Sequence, residues 1–394
     1  MNRLPQIDAL RGFALLGICM VNAPIISGAW HLATDPATAS VDHTAAWLVT
    51  ALVTTKFYLI FSFLFGYSFT LQQVAADRSG VSFSRRHGRR LLGLFLIGFG
   101  HAILLYPGDI LMTYAVLGLA LLALRGLGAR AALLAAIVLI AFLATVMLLA
   151  GVMSLGTGND AHFSADAVAV QQSAAYRGGP LSIIHANITN YRHQLGGVVL
   201  YSIHLLAALL TGMAAGRLGW LDPSRGIRAG ATVVRRRICV VGLLFGLPGG
   251  VLTAMCTYGP FGDRFYYLGQ AVDVITAPLL AAAYGTALLA LLRGRFGHRI
   301  ARILAPAGRM SLSLYLLQSG VLAFVFTGYG FGLYGEVGPA ALALGCIALW
   351  AAQLALSARL MARVRYGPVE LMLRRITLGP AALRAARAAG PLAK

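Results

Sequence analysis

Charged residues are scarce in this chain of 394 residues. Asp, Glu, Lys and Arg together make up 11% of it, against about 25% in a typical soluble domain. Hydrophobic residues make up 59% of the chain. So few charges cannot cover the surface of a water-soluble protein of this length, which excludes a soluble enzyme and a disordered scaffold. The class of protein that remains is a multi-pass membrane protein.

Cysteine is also rare, and the common catalytic and metal-binding motifs are missing. The four cysteines form no Cys-x-x-Cys pair, which excludes a disulfide framework and a zinc ribbon. They are interpreted as small apolar packing residues in the membrane segments. No GxSxG, HExxH or P-loop occurs, so the sequence predicts no metal site and no tightly bound cofactor. The histidines at the predicted outer side show no specific ligand spacing: His31, His43, His162, His185 and His193.

Long apolar runs fill most of the chain and predict an all-α fold. A run of about 20 apolar residues is long enough to cross a ~30 Å hydrocarbon core as a helix. The ten predicted spans are Leu10–Ala29, Ala45–Gln72, Leu91–Tyr106, Ile110–Leu124, Ala131–Met153, Gly197–Gly216, Ile238–Tyr258, Leu268–Leu292, Met310–Thr327 and Pro339–Met361.

The spans divide into two groups of five around a long connection. Residues 1–153 form the N-terminal bundle, 154–196 an outer loop, 197–379 a C-terminal region and 380–394 a tail. The first span is interpreted as a retained helix, because no convincing cleavage site follows it closely. The third and fourth spans are predicted to form a tight hairpin at Pro107 and Gly108. Within the outer loop, a surface helix is predicted over Ala165–Tyr176.

Acidic residues are few, which leaves a formal net charge of +20. With the N-terminus in the cytoplasm, 28 of the 32 Lys and Arg residues fall on the cytoplasmic side of the ten spans. Eight of the 12 acidic residues fall on the outer side. This bias follows the positive-inside rule and predicts that both termini are cytoplasmic. The basic charge therefore indicates orientation and anionic lipids as partners rather than nucleic acid.

One basic cluster leaves two interpretations open. Arg85, Arg86, Arg89 and Arg90 precede the third span. They are either interfacial residues that fix topology, or a site for a cytosolic anion.

Four polar residues within spans are predicted to lie at similar depth. Asn22 follows Arg11 by eleven residues, and His101 follows Arg90 by the same number, which is about 16 Å along a helix. Lys56 and Gln318 lie at comparable distances from the ends of their spans. Ionisable and polar groups in the membrane are costly, so they are candidate functional residues.

Each candidate also has a structural explanation. His101 can act as general base, since histidine titrates near neutral pH, or it can hydrogen-bond between helices. Asp109 can orient His101 only if the hairpin bends inward, because a straight helix separates them by about 12 Å; otherwise it caps a helix. Lys56 either meets an anionic partner or extends its ammonium group to the interface. His204 and Asp273 are weaker candidates that can pair across helices.

Five segments, in order along nearly the whole chain, resemble the YeiB-like family of bacterial inner-membrane proteins. The N-terminal segment Ile7–Asn22 reads IDALRGFALLGICMVN, and Lys56–Gly66 reads KFYLIFSFLFG. The others are His101–Tyr114, Gly308–Ser319 and Tyr366–Gly379. Within the fourth, Ser313 and Leu314 replace a more common Thr-Asn pair.

This family is similar to the superfamily of transmembrane acyltransferases, which share the Leu-Asp-x-x-Arg-Gly opening. The resemblance implies transfer of an acyl group from a cytosolic donor such as acyl-CoA to a hydroxyl or amine at the outer side. Many members have a His near the end of the first motif, where this chain has Asn22. That difference shifts the expected catalytic residue to His101, oriented by Asp109. His43 is the second choice.

The leading functional prediction is therefore a membrane-bound acyltransferase of the bacterial inner membrane. The Arg cluster would hold the phosphates of acyl-CoA, and Lys56 or Asn22 would stabilise the oxyanion. Gln318, Tyr114 and Tyr315 are expected to line the substrate cavity, and the acceptor is a small molecule, glycan or lipid. The alternative is an exporter of an anionic or lipid-linked solute. A structural or sensory membrane protein is the third interpretation.

Overall fold

The computed structural model describes residues 5–34, 39–78, 80–157, 165–221 and 229–388. Within these ranges the chain is helical, with two short 3-10 turns and no strand. The helices are α1 (Pro5–Ser27), α2 (Ala29–Thr34), α3 (Ser40–Leu52), α4 (Lys56–Arg78), α5 (Phe83–Leu104), α6 (Leu111–Ala123), α7 (Ala129–Thr157), α8 (Ala165–Arg177), α9 (Pro180–Leu218), α10 (Ala229–Tyr258), α11 (Tyr266–Leu291), α12 (Gly297–Arg309), α13 (Ser311–Phe326), α14 (Pro339–Arg363) and α15 (Pro368–Ala388).

Seven helical segments among the described residues are long and apolar enough to cross a membrane. They are α1, the α3–α4 pair, α7, α9, α10, α11 and α14. The count rises to eight if α12 and α13, which meet at a bend of 75°, form one span. The fold is therefore all-helical and typical of a multi-pass membrane protein. Ten crossings stay a prediction, because α6 is short and α5 begins with the Arg cluster.

The predicted span Ala45–Gln72 lies within the apolar segment Ser40–Arg78, but this segment is not one continuous helix. α3 ends at Leu52 and α4 begins at Lys56. Between them Thr55 adopts a φ of 74°, a left-handed conformation that is unfavourable for a β-branched residue. Apolar periodicity could not reveal this break, because no Gly or Pro marks it.

The predicted outer loop 154–196 is wrong over much of its length. The surface helix predicted at Ala165–Tyr176 is confirmed as α8. However, α9 begins at Pro180 rather than Gly197, since Gly179 and Pro180 form a favourable helix start. At 39 residues, α9 is about 58 Å long, well beyond the ~30 Å of a hydrocarbon core. Its N-terminal part carries polar residues and lacks a long apolar run, so apolar periodicity predicts a loop there.

Glycines allow the helices to approach closely. A Cβ at Gly66 of α4 would overlap the carbonyl oxygen of Leu209, and one at Gly212 of α9 would overlap that of Phe63. Gly308 is similarly placed against the backbone of Asp8, where α12 packs on α1. Small residues at crossings are typical of helix packing in membranes.

The two ends of the bundle differ in character. One end, called here the basic face, carries the arginines at the start of α5 and the ends of α9 and α12. At the opposite end, α8 and residues 327–338 form a cap. The amide of Gly328 donates to the carbonyl of Tyr176 at 2.8 Å, and the rings of Tyr176 and Tyr334 stack at 4.7 Å.

Candidate functional site

A buried pair of His101 and Asp109 lies at the turn between α5 and α6. His101 Nδ1 and Asp109 Oδ2 are 2.7 Å apart, and the two side chains are 1% and 0% exposed. Asp109 therefore reaches His101. The straight-helix separation does not apply, because α5 ends at Leu104 and the chain folds back.

Local sequence explains why the hairpin closes so tightly. The amides of Leu105 and Tyr106 both donate to the carbonyl of His101, which ends α5. Gly98 faces the turn, and a Cβ there would overlap Asp109 Oδ1. The same oxygen accepts a hydrogen bond of 2.8 Å from the amide of Met112, at the start of α6. Asp109 thus caps a helix with one oxygen and holds His101 with the other.

The second ring nitrogen of His101 is not used in the contact with Asp109. Nε2 is buried and has no hydrogen-bond partner among the described residues. The ring of Tyr315 lies 5.0 Å from the His101 ring, and that of Tyr106 lies 6.1 Å away. The hydroxyl of Tyr106 donates to Asn22 Oδ1 at 3.3 Å, so the first-helix motif reaches the site through Tyr106.

Hydrogen bonds link the cap to the α5–α6 hairpin through α9. Asn187 of α9 donates from Nδ2 to the carbonyl of Ile103 at 2.9 Å. Its Oδ1 accepts from the hydroxyl of Tyr176 at 3.0 Å, and Asn190 Nδ2 donates to that hydroxyl at 2.9 Å. Burial raises the pKa of Tyr176 to about 12, so its phenol remains protonated and able to donate.

Lys56 lies in a second buried charged pair. Its Nζ is 2.8 Å from Asp273 Oδ1, with the side chains 1% and 5% exposed. Nζ also donates to the carbonyl of Thr50 at 3.3 Å, across the break between α3 and α4. The prediction that Asp273 pairs across helices is confirmed. The ammonium group is neutralised within the protein rather than extended to the interface.

The remaining predicted residues do not join one site. Gln318 donates to the carbonyl of Leu15 at 3.3 Å and to Gln353 Oε1 at 2.9 Å. Tyr114 is hydrogen-bonded to Ser62 at 2.9 Å. His43 is half-buried on α3, which packs on α10 and α14 rather than on α5. A similar predicted depth in the membrane therefore does not bring these polar side chains into contact with one another.

A cavity of about 1080 Å³ opens at the basic face. It lies where α1, α4, α5, α9 and α15 meet, and eight arginines line it against three acidic residues, Asp8, Asp77 and Glu370. Two of these acids are already engaged: Asp8 forms an ion pair with Arg11 at 3.4 Å, and Glu370 Oε1 accepts from the amides of Leu312 and Ser313 and caps α13. The excess of positive charge makes this cavity suited to a phosphorylated ligand. The arginines are Arg11, Arg78, Arg86, Arg90, Arg125, Arg217, Arg309 and Arg374.

The four arginines of the predicted cluster lie on two different sides of α5. Arg86 and Arg90 are half-buried and line this cavity, whereas Arg85 and Arg89 are exposed. Residues four apart share a face of a helix, so only one pair of the cluster can face the cavity. The guanidinium group of Arg90 also lies 5.3 Å from the centre of the Phe65 ring.

His101 is not one of the residues that line this cavity. It lies about 16 Å beyond Arg90 along α5. Six of the eight lining arginines lie outside the predicted cluster, because nothing in a linear pattern shows that separate helices meet at one cavity: Arg11, Arg78, Arg125, Arg217, Arg309 and Arg374. Gly98 and Tyr106 were not predicted as site residues either, and their only signal is their place beside and within the His101–Tyr114 motif.

The other histidines and the cysteines form no further centre in the described part of the chain. No group of three or more His, Cys, Asp or Glu is placed to hold a metal ion there. His185 and His193 are exposed on α9, and His31 is half-buried on α2. His162 lies outside the described residues. The four cysteines are free thiols.

Comparison with known proteins identifies relatives along the whole chain. Residues 215–380 match a family described as "Protein of unknown function (DUF418)". The uncharacterized protein YxaH of Bacillus subtilis is 30% identical over 95% of this chain and 94% of its own length. The uncharacterized protein YeiB of Escherichia coli is 26% identical over 99% of this chain and 98% of its own. An uncharacterized 39.9 kDa protein of Bacillus acidopullulyticus is 27% identical over 95% and 94%.

Proposed function

The chain belongs to the YeiB-like DUF418 family, and on that premise we propose that it is a membrane-bound acyltransferase. The observation that carries the proposal is the His101–Asp109 pair, with Nδ1 held at 2.7 Å and Nε2 unpartnered. When Nδ1–H donates to the carboxylate, Nε2 carries the lone pair of the neutral imidazole. A buried base oriented in this way is the arrangement used for proton abstraction in acyl transfer.

The basic cavity supplies the donor side of the reaction. Its arginines suit the phosphates of coenzyme A, and the pantetheine arm would have to span the further distance of about 16 Å along α5 to bring the thioester to His101. The basic face is then cytoplasmic, in agreement with the positive-inside rule. The protein would lie in the bacterial inner membrane, with anionic lipids at this face.

In the reaction, Nε2 of His101 removes a proton from the acceptor hydroxyl or amine as its oxygen or nitrogen attacks the thioester carbonyl. The carbon–sulfur bond then breaks, and the coenzyme A thiolate takes the proton from His101. Asp109 holds the ring in one tautomer and stabilises its protonated form. Tyr315 and Tyr106 flank the ring, so a movement of these side chains would admit the substrate. Asn22 is placed near the site through Tyr106.

The test uses purified full-length protein in lipid vesicles with radiolabelled acetyl-CoA and longer acyl-CoA donors. Transfer of label to a membrane or small-molecule acceptor is expected, and His101→Gln should reduce it at least 100-fold. His193→Gln is the matched control, since His193 is exposed on α9. A His101→Gln protein that transfers acyl groups at the wild-type rate would refute the role of His101.

A second candidate function, solute export, is favoured by the break between α3 and α4. Broken membrane helices with buried charges often form transport sites, and Lys56, Asp273 and the strained Thr55 lie together at this break. Two variants distinguish solute export from acyl transfer. Export would be lost in the double variant Lys56→Met/Asp273→Leu, which leaves no unpaired buried charge, and retained in His101→Gln, with the solute chemically unchanged.

A further inference from the structure

A second cavity, of about 850 Å³, lies between α4, α9, α10 and α11. We call it the tail cavity. Its walls are largely apolar and include Leu59, Phe63, Ala207, Ala281 and Leu289. Its volume is within the ~300–1,000 Å³ range of small-molecule sites. The His101–Asp109 pair does not line it, so acyl transfer at His101 does not account for it.

The tail cavity is long and follows the membrane-spanning helix α9. It extends along α9 from Leu218 at the basic face to His204, which is about 21 Å of helix. One leaflet of a ~30 Å hydrocarbon core is about 15 Å deep. The cavity can therefore accept the full length of one extended acyl chain.

The mouth of the tail cavity is apolar and open. Leu218, Trp220 and Val234 line it and are 46%, 49% and 46% exposed. Trp is enriched at membrane interfaces, where its ring lies at the level of the lipid headgroups. This places the mouth at the boundary between the hydrocarbon core and the headgroups of the leaflet on the basic face.

An arginine side chain lies at the same mouth. Arg235 lines the tail cavity and donates from one guanidinium nitrogen, Nη2, to the carbonyl of Trp220 at 2.9 Å. Its other terminal nitrogen, Nη1, is buried and has no hydrogen-bond partner among the described residues. A buried guanidinium nitrogen without a partner is unfavourable unless an acceptor occupies the site. A phosphate oxygen is the acceptor that guanidinium groups bind best.

From these observations we infer that the tail cavity binds an anionic phospholipid of the leaflet at the basic face. One acyl chain occupies the apolar channel towards His204, and the phosphate accepts a hydrogen bond from Arg235 Nη1. The neighbouring Arg236 and Arg237 are exposed and add positive potential near the headgroup. Lipid binding here does not require acyl transfer at His101.

The experiment measures lipids retained by the purified full-length protein in native mass spectrometry. The protein is delipidated in detergent and incubated with phosphatidylglycerol or phosphatidylcholine of identical acyl chains. Retention of phosphatidylglycerol should exceed that of phosphatidylcholine about tenfold. Gly285→Leu fills the channel, because a Cβ at Gly285 would meet no atom within 4 Å. It should lower phosphatidylglycerol retention at least tenfold. Arg235→Gln should remove the preference between the two lipids.

Two controls test whether the effects are local. Gly345→Leu adds the same side chain on α14, where a Cβ is equally unhindered and no wall of the tail cavity is affected. Arg130→Gln removes an exposed charge at the start of α7, and Arg130 lines neither cavity. Both should retain phosphatidylglycerol as the wild type does, and the thermal unfolding midpoints of all variants should agree.

Three results would overturn the inference. They are equal retention of the two phospholipids by the wild type, unchanged phosphatidylglycerol retention in Gly285→Leu, or retention of palmitoyl-CoA but of neither phospholipid. The last result would assign the channel to a thioester substrate.

Discussion

The two carboxylate oxygens of Asp109 make different contacts. Oδ2 holds His101 Nδ1 at 2.7 Å, while Oδ1 accepts from the amide of Met112 at 2.8 Å and starts α6. The position of the imidazole is therefore fixed to the start of the next helix, and side-chain orientation depends directly on backbone structure. The effect of a substitution at Asp109 must therefore be compared with that of a substitution at a residue that only caps a helix.

Asp109→Asn is expected to lower acyl transfer by about 100-fold or more, with a much smaller change in stability. The asparagine amide can donate to Nδ1, which selects the tautomer whose Nε2 carries a proton and cannot act as base. The measurement is the rate of transfer from labelled acyl-CoA, together with the thermal unfolding midpoint.

Asp42→Asn is the control for this prediction. Asp42 Oδ1 accepts from the amide of Ala340 at 2.8 Å and helps to start α14, so Asp42→Asn alters a helix cap that lies away from the His101 site. Equal losses of activity in the two variants would mean that capping, rather than the tautomer of His101, explains the effect.

The Lys56–Asp273 pair makes a prediction about stability. Removing one partner of a buried pair leaves an unpaired charge, which typically costs about 3–5 kcal/mol. Lys56→Met and Asp273→Leu should each lower the unfolding midpoint in detergent strongly. The double variant Lys56→Met/Asp273→Leu should recover much of the loss. A double variant as unstable as the sum of the two would contradict this account.

The α5–α6 hairpin shows how an element of structure controls the site. Gly98 lets α6 and the Asp109 carboxylate approach α5. Gly98→Ala should push the two helices apart and lower acyl transfer at least tenfold. Gly100→Ala adds the same methyl group where no atom lies within 4 Å, so activity should be unchanged and the helix slightly more stable. If both variants behave alike, close approach at Gly98 is not what positions the pair.

Some helices and turns of this fold could be predicted from the sequence, and others could not. The hairpin was predictable, because Pro107 and Gly108 end a helix by well-understood rules. The extent of α14 was predictable from its apolar run, which begins at Pro339 in both the prediction and the structure. The break at Thr55 was not, because tertiary contacts hold a residue there that local preference disfavours. The partnership of Lys56 with Asp273 depends on a contact 217 positions apart, which no local pattern contains.

For the whole molecule, charge distribution and helix arrangement together predict topology. If α5, α6 and α13 cross the membrane along with the seven apolar segments, the number of crossings is ten and both termini are cytoplasmic. A fluorescent protein fused after Lys394 should therefore fluoresce in the bacterial host. Alkaline phosphatase fused after Gly179, between α8 and α9, should be active on the outer side. An inactive phosphatase fusion there would reverse the assignment of the basic face.

The length of α9 has a practical consequence. A 41.5 kDa chain that is mostly helix offers few features for aligning single-particle images. The cap, however, is built on the same continuous helix that passes behind the hairpin. An antibody fragment raised against the start of α9 would bind a continuous helix whose Asn187 is hydrogen-bonded to the backbone of the hairpin that carries His101. Such a fragment would serve as a rigid alignment marker for imaging the protein with acyl-CoA or lipid bound.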